Sequence, residues 1–141
     1  MVMFKILKIV TILILLPNFL QANTKFFEEG VNLFNGKKYD KAKFKFEQYI
    51  VFNPKGEMAY LYLSKIFHEF DKKDLEEQNL KTVILLNPNN EEATYNLAKL
   101  KLDASDYKKS KELNDKLTLF CNKFCDQSEK LKNEIENLSK K

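Results

Sequence analysis

Arginine is absent from this 141-residue chain, so all 24 basic side chains are lysines. The planar fork that grips phosphate or carboxylate with two parallel bonds is therefore missing, which argues against nucleic-acid recognition. The charge balance agrees. Against 20 acidic residues, and without Lys5 and Lys8 of the leader described below, 22 lysines leave a net charge of only +2, a weak pull toward DNA, RNA or anionic lipid. Histidine occurs once, at His68, and any nucleophile–base arrangement would have to be built around it. A single histidine on a helix is usually structural or solvated. The three glycines, Gly30, Gly36 and Gly56, are scattered, so no phosphate-cradling loop exists. Two cysteines and one histidine fall short of the four ligands of a structural zinc site. No cofactor and no metal is expected. The acidic pairs Glu28-Glu29, Glu76-Glu77 and Glu91-Glu92 lie among lysines and read as solvated helix faces, with an enzyme built on them as the remote alternative.

The first 22 residues, MVMFKILKIVTILILLPNFLQA, have a different character. Two lysines precede an apolar run from Ile9 to Leu16, then come Pro17 and a small residue at Ala22, the layout of a secretory signal peptide. The uncharged stretch Ile9–Phe19 covers 11 residues, well short of the roughly 20 needed to span a bilayer as a helix. Cleavage after Ala22 would leave 119 residues, expected in the periplasm with no membrane insertion. An uncleaved N-terminal tether to the inner membrane is the alternative. No cysteine follows the run, which argues against a lipoprotein anchor.

From Asn23 onward the apolar positions follow helical spacing, and no stretch alternates like a half-buried strand. Phe26, Phe27, Gly30, Val31, Leu33 and Phe34 form one run. After a break at Gly36-Lys37-Lys38 a second passes through Tyr39, Ala42, Phe46, Tyr49 and Ile50 to Asn53-Pro54, where proline stops it. Thirty-four residues later the same order returns, with Tyr60, Leu63, Ser64 and Phe67, then Leu80, Val83 and Ile84, ending at Asn87-Pro88. A third copy holds Thr94, Leu97, Ala98, Tyr107 and Ser110. Its departures are Asn114 where Phe46 and Leu80 stood and Asn122 in place of proline, with apolar residues drifting to Leu113, Leu117 and Phe120; in the second copy Glu76 takes a small-residue slot.

A 34-residue helix-turn-helix period is the signature of the tetratricopeptide repeat. The segment NGKKYDKAKFKFEQYIVFNP, residues 35–54, resembles that family, with Gly36, Tyr39, Ala42, Phe46 and Pro54 at its characteristic places. The resemblance implies an all-α helical solenoid with repeats at 23–54, 57–88 and 91–122. A capping helix follows within 123–141, from about Asp126 to Ser139, with a stripe of Phe124, Leu131, Ile135 and Leu138 whose gap Ser128 fills. Gly30 and Ala42 would stand where paired helices approach most closely. One compact unit is expected from the length.

In this family the first helices of successive repeats line a concave groove for peptide segments. The resemblance places Phe27, Val31 and Phe34, then Leu61, Lys65 and His68, then Tyr95, Lys99 and Leu102 along it. Phe27, Val31 and Phe34 also form a second apolar stripe beside Phe26, Gly30 and Leu33. Such a stripe either is an exposed patch for a partner or packs on its own neighbouring repeat. The clamp with which some family members hold a chaperone's terminal carboxylate is not reproduced, because Val31 and Tyr62 stand where polar residues would be wanted. Cys121 and Cys125, in an exported chain, suit a disulfide if the chain turns between Phe120 and Asp126, since residues four apart on a straight helix do not meet in relaxed disulfide geometry. Two buried free thiols are the other reading. The expected function is a non-enzymatic adaptor holding a protein or peptide partner in the cell envelope, with a self-associating subunit, such as a homodimer, as the alternative.

Overall fold

The computed structural model describes residues 24–140, so the expected signal segment lies outside the described residues. Among these residues the chain is all helical. Helix α1 covers residues 24–35, followed by α2 (Tyr39–Phe52), α3 (Glu57–Glu69), α4 (Lys73–Leu86), α5 (Glu91–Asp103), α6 (Tyr107–Thr118) and α7 (Cys125–Leu138). The residues group into two compact units, one ending at Ala59 and the other beginning at Tyr60, rather than the single unit that length alone led us to expect. Repeat architectures make contacts only between neighbouring elements, so no common centre draws the whole chain together.

The period is written into the backbone. After α1, α3 and α5 the chain takes one left-handed residue, at Lys37, Asp71 and Ser105, with φ of 55°, 52° and 60°. The following amides then return to the helix, Lys38 to Leu33, Lys72 to Phe67 and Asp106 to Lys101, each at 2.9 Å. This closure satisfies carbonyls that a helix end would otherwise leave bare. Helices α2 and α4 end alike, with the amides of Asn53 and Asn87 bonded to Tyr49 and Val83 before the prolines.

In the first unit α1 packs on α2 through aromatic rings. Phe27 meets Phe46 edge-on at 5.7 Å and Tyr49 at 5.2 Å, while Phe26 stacks on Phe52 at 6.3 Å. Gly30 is required by this packing, because a Cβ there would lie 2.8 Å from the Phe46 ring. Lys45 bridges the same helices, pairing with Glu29 at 2.6 Å and lying over Phe26.

In the second unit the buried cluster draws Leu61, Leu80, Val83, Leu97, Leu100, Leu102 and Leu113 together with Leu131 and Ile135 of α7. The polar departures of the third repeat are absorbed here. Asn114 is buried and donates from Nδ2 to the Ser128 carbonyl at 2.9 Å, while the Ser128 hydroxyl donates back to Asn114 Oδ1 at 2.9 Å. Ser110 donates to the Ala98 carbonyl at 2.8 Å, tying α6 to α5. Asn114, Ser128 and Ser110 thus each meet a partner, which is what makes their burial tolerable.

Candidate functional site

First helices of consecutive pairs share a face in the second unit. Lys65 on α3 reaches Glu92 on α5 at 2.7 Å, and its ammonium lies 5.3 Å from the centre of the Tyr62 ring. On α5, Tyr95 is half-buried against Phe124 with ring centres 5.5 Å apart, and Lys99 is half-buried one turn further on. His68, near the end of α3, is exposed. The face therefore combines cations, a carboxylate and tyrosine rings, a surface able to offer hydrogen bonds and ring contacts.

Two residues expected to line it do not. Leu61 and Leu102 are only 2% and 4% exposed and belong to the buried cluster. Their side chains are consumed by packing, so the lining of this unit reduces to Lys65, His68, Tyr95 and Lys99. In the first unit, Phe27, Val31 and Phe34 are each half-buried. Phe27 is turned into α2 as described, and Phe34 lies 5.5 Å from the Tyr39 ring. Phe27 and Phe34 thus pack within their own repeat, which neither reading of that apolar stripe anticipated.

Of the acidic residues anticipated on solvated faces, Glu28 is exposed, whereas Glu76 is buried and Glu77 and Glu91 are held by partners. Glu76, 6% exposed, receives a hydrogen bond from His68 Nδ1 at 3.2 Å, and burial pushes its carboxyl pKa up, against the opposing pull of His68. Glu77 is held below the usual carboxylate range by Lys101 and Lys81, at 2.7 and 2.6 Å. Glu91 accepts three backbone N–H groups, from Asn122, Lys123 and Phe124, which lower its pKa. Lys81 lies four residues from Glu77 on the same helix, but His68, Lys101 and the amides of residues 122–124 are brought in only by the fold, so a one-dimensional reading sees those glutamates without these partners. Cys121 and Cys125 are joined in a disulfide, with Cα atoms 5.3 Å apart across the turn between α6 and α7. Among the described residues no cluster of histidine, cysteine and acidic side chains could hold a metal ion, and no helix is long and apolar enough to cross a membrane.

At the level of sequence, no family model matches the chain and no curated protein is similar to it. Solved structures are similar in fold. The TPR2B domain of yeast Sti1, solved in a complex with a pHsp70 ligand, gives a TM-score of 0.76 at 13% identity over 82% of this chain and 97% of its own. The type III secretion chaperone SycD of Yersinia enterocolitica, in complex with a peptide of the translocator YopD, gives 0.73 at 16% identity, covering 84% and 94%. The TPR domain of Sgt2 from Aspergillus fumigatus gives 0.71 at 18% identity, covering 84% and 82%. The fold is that of a tetratricopeptide-repeat domain. Within a tetratricopeptide architecture the bridge from Lys65 to Glu92 marks the side on which first helices lie next to one another. Glu92 and Phe124, which with Tyr62 complete that side, were not among the residues expected there. Glu92 lies one helical turn from Tyr95, a signal that could have found it, whereas Phe124 is brought in only by the turn that leads into α7.

Proposed function

We propose that this chain is a non-enzymatic adaptor that holds a segment of a protein partner on the shared face of its first helices, in the periplasm after removal of the leader. The observation that carries the reading is the Lys65–Glu92 bridge. It sets α3 beside α5 with Tyr62, Tyr95 and Lys99 on the same side. Tyrosine rings with two χ angles suit peptide recognition because they give area at low entropic cost, and the lysines add charged hydrogen-bond donors. The fold likeness to SycD with its translocator peptide and to Sti1 with its ligand supports a peptide as the bound species. Export rests on the leader, in which Lys5 and Lys8 precede the apolar run Ile9–Leu16 and Ala22.

The experiment is in-cell crosslinking followed by capture of the tagged chain, beside a Tyr95→Ala, Lys99→Glu variant whose helicity is unchanged by circular dichroism. A partner captured by the parent and lost with the variant supports the proposal. A partner that survives the variant overturns the assignment of the face. Fractionation of the same cells reports whether the chain is in the periplasm.

A second reading, a self-associating subunit, is favoured by Leu85 and Leu119. They lie 34 residues apart near the ends of α4 and α6 and are 80% and 85% exposed. Sedimentation across a concentration series separates the two readings, since a tight dimer favours self-association.

A further inference from the structure

The second helices of the first two repeats end on asparagine-proline turns, where the amides of Gly56 and Asn90 reach back to the carbonyls of Asn53 and Asn87. In the third repeat Cys121 stands at the asparagine position and Asn122 at the proline position. The amides of residues 122–124 turn instead to one atom. Glu91 Oε2 accepts from Asn122 at 2.9 Å, Lys123 at 2.8 Å and Phe124 at 2.9 Å. Three consecutive amides converge on one oxygen only where the chain curls into a nest. Here the Cys121–Cys125 bond closes the chain around those three residues.

We propose that this disulfide is a redox-controlled clasp that, through Glu91, decides whether α7 stays docked on the end of the second unit. Glu91 is the first residue of α5, and its carboxylate holds the turn that leads into α7, beside the end where a helix dipole favours negative charge. The clasp therefore ties the cap to the preceding repeat. Because the bond closes so short a loop, it restricts the unfolded chain less than a long-range bridge would. Its main action is on the shape of this turn. Cys125 is exposed and Cys121 half-buried, so a small thiol can reach them.

A dithiol reductant delivers two electrons and two protons. The S–S bond breaks, Cys121 and Cys125 become thiols, and the reductant becomes a disulfide. With the turn released, the three amides no longer converge and α7 loses the carboxylate beside its start. Leu131 and Ile135 then leave the cluster formed with α5 and α6, opening an apolar edge at the end of the repeat stack.

Hydrogen exchange of the full chain, read by mass spectrometry with and without dithiothreitol, tests this. Reduction is expected to speed exchange of residues 122–138 by about tenfold or more while α3 and α4 keep their protection. Unchanged protection of α7, or a uniform loss across every helix of the second unit, would overturn the proposal. A Glu91→Ala variant with its disulfide intact supplies the second arm. It should speed exchange of residues 122–138 as reduction does, and unaltered protection of α7 would show that the carboxylate is not the link.

Discussion

His68 Nδ1 and Glu76 Oε2 stand 3.2 Å apart, joining the last turn of α3 to the first turn of α4 across the left-handed residue Asp71. Glu76 occupies the slot held by Ala42 in the first repeat and Ser110 in the third, and its buried carboxyl meets His68 there. Burial raises its pKa, the charge of Asp103 adds to the rise, and His68 and Lys73 oppose it.

A folded pKa above the unfolded one means that ionised Glu76 is penalised in the fold. The penalty is complete above the folded pKa and fades as pH falls through it toward the unfolded value. Glu76→Gln should therefore be more stable than the parent at neutral pH, with the advantage shrinking on acidification. Urea denaturation at a series of pH values measures this. Lower stability of the variant at neutral pH would show that the bond to His68 outweighs burial.

Glu91 has the opposite sign. Its pKa is depressed by the amides of Asn122, Phe124 and Lys123, so its contribution is present above the unfolded pKa and disappears as pH falls through the folded one. Glu91→Gln should melt below the parent at neutral pH and match it in acid. A constant gap across the pH range would point to lost packing instead of lost charge.

Lys37, Asp71 and Ser105 hold a backbone conformation in which any Cβ is crowded. Replacing Ser105 with glycine should stabilise the chain by about 0.5–1 kcal/mol, the relief of that crowding exceeding the entropy glycine loses. Lys37→Gly should act in the same direction. Chemical denaturation decides it, and a loss of stability at both sites would contradict the account of these turns.

Gly30 faces the Phe46 ring at a distance no Cβ tolerates. Gly30→Leu should cost about 1–3 kcal/mol by forcing α1 from α2. Adding Phe46→Ala should recover part of that loss, because the new side chain then enters the vacated space. A double mutant that is as unstable as the two single losses added together would show that the sites are uncoupled.

Asn114 and Ser128 exchange hydrogen bonds inside the second unit. Asn114→Leu restores an apolar residue at the position of Phe46 and Leu80, yet strands the Ser128 hydroxyl and carbonyl. A loss of about 1–3 kcal/mol is expected. Ser128→Ala in the same chain should recover part of it, and thermal melts of the four variants complete the cycle.

Much of this architecture was legible before any coordinates. The prolines at 54 and 88, the small residues Gly30, Ala42, Ser64 and Ala98, and the breaks at residues 36–38 and 104–106 announce the period because each is a local necessity of a helix end or a close approach. The functional face was less legible. Leu61 and Leu102 carry the spacing of groove residues but lie in the core, since helical phase places a residue on a side without saying what covers that side. Phe27 and Phe34 were ambiguous for the same reason.

The amino-acid sequence by itself determined the helices, their stops and their 34-residue repetition, all of which follow from interactions within a few residues along the chain. Tertiary structure alone decided the partners of the charged and polar groups. Glu91 finds amides 31 to 33 residues away, Asn114 finds Ser128 14 residues on, and Glu92 finds Lys65 two helices back. A carboxylate or an amide is equally at home in water, and only the packing of apolar faces fixes which other polar group it meets when water is withdrawn.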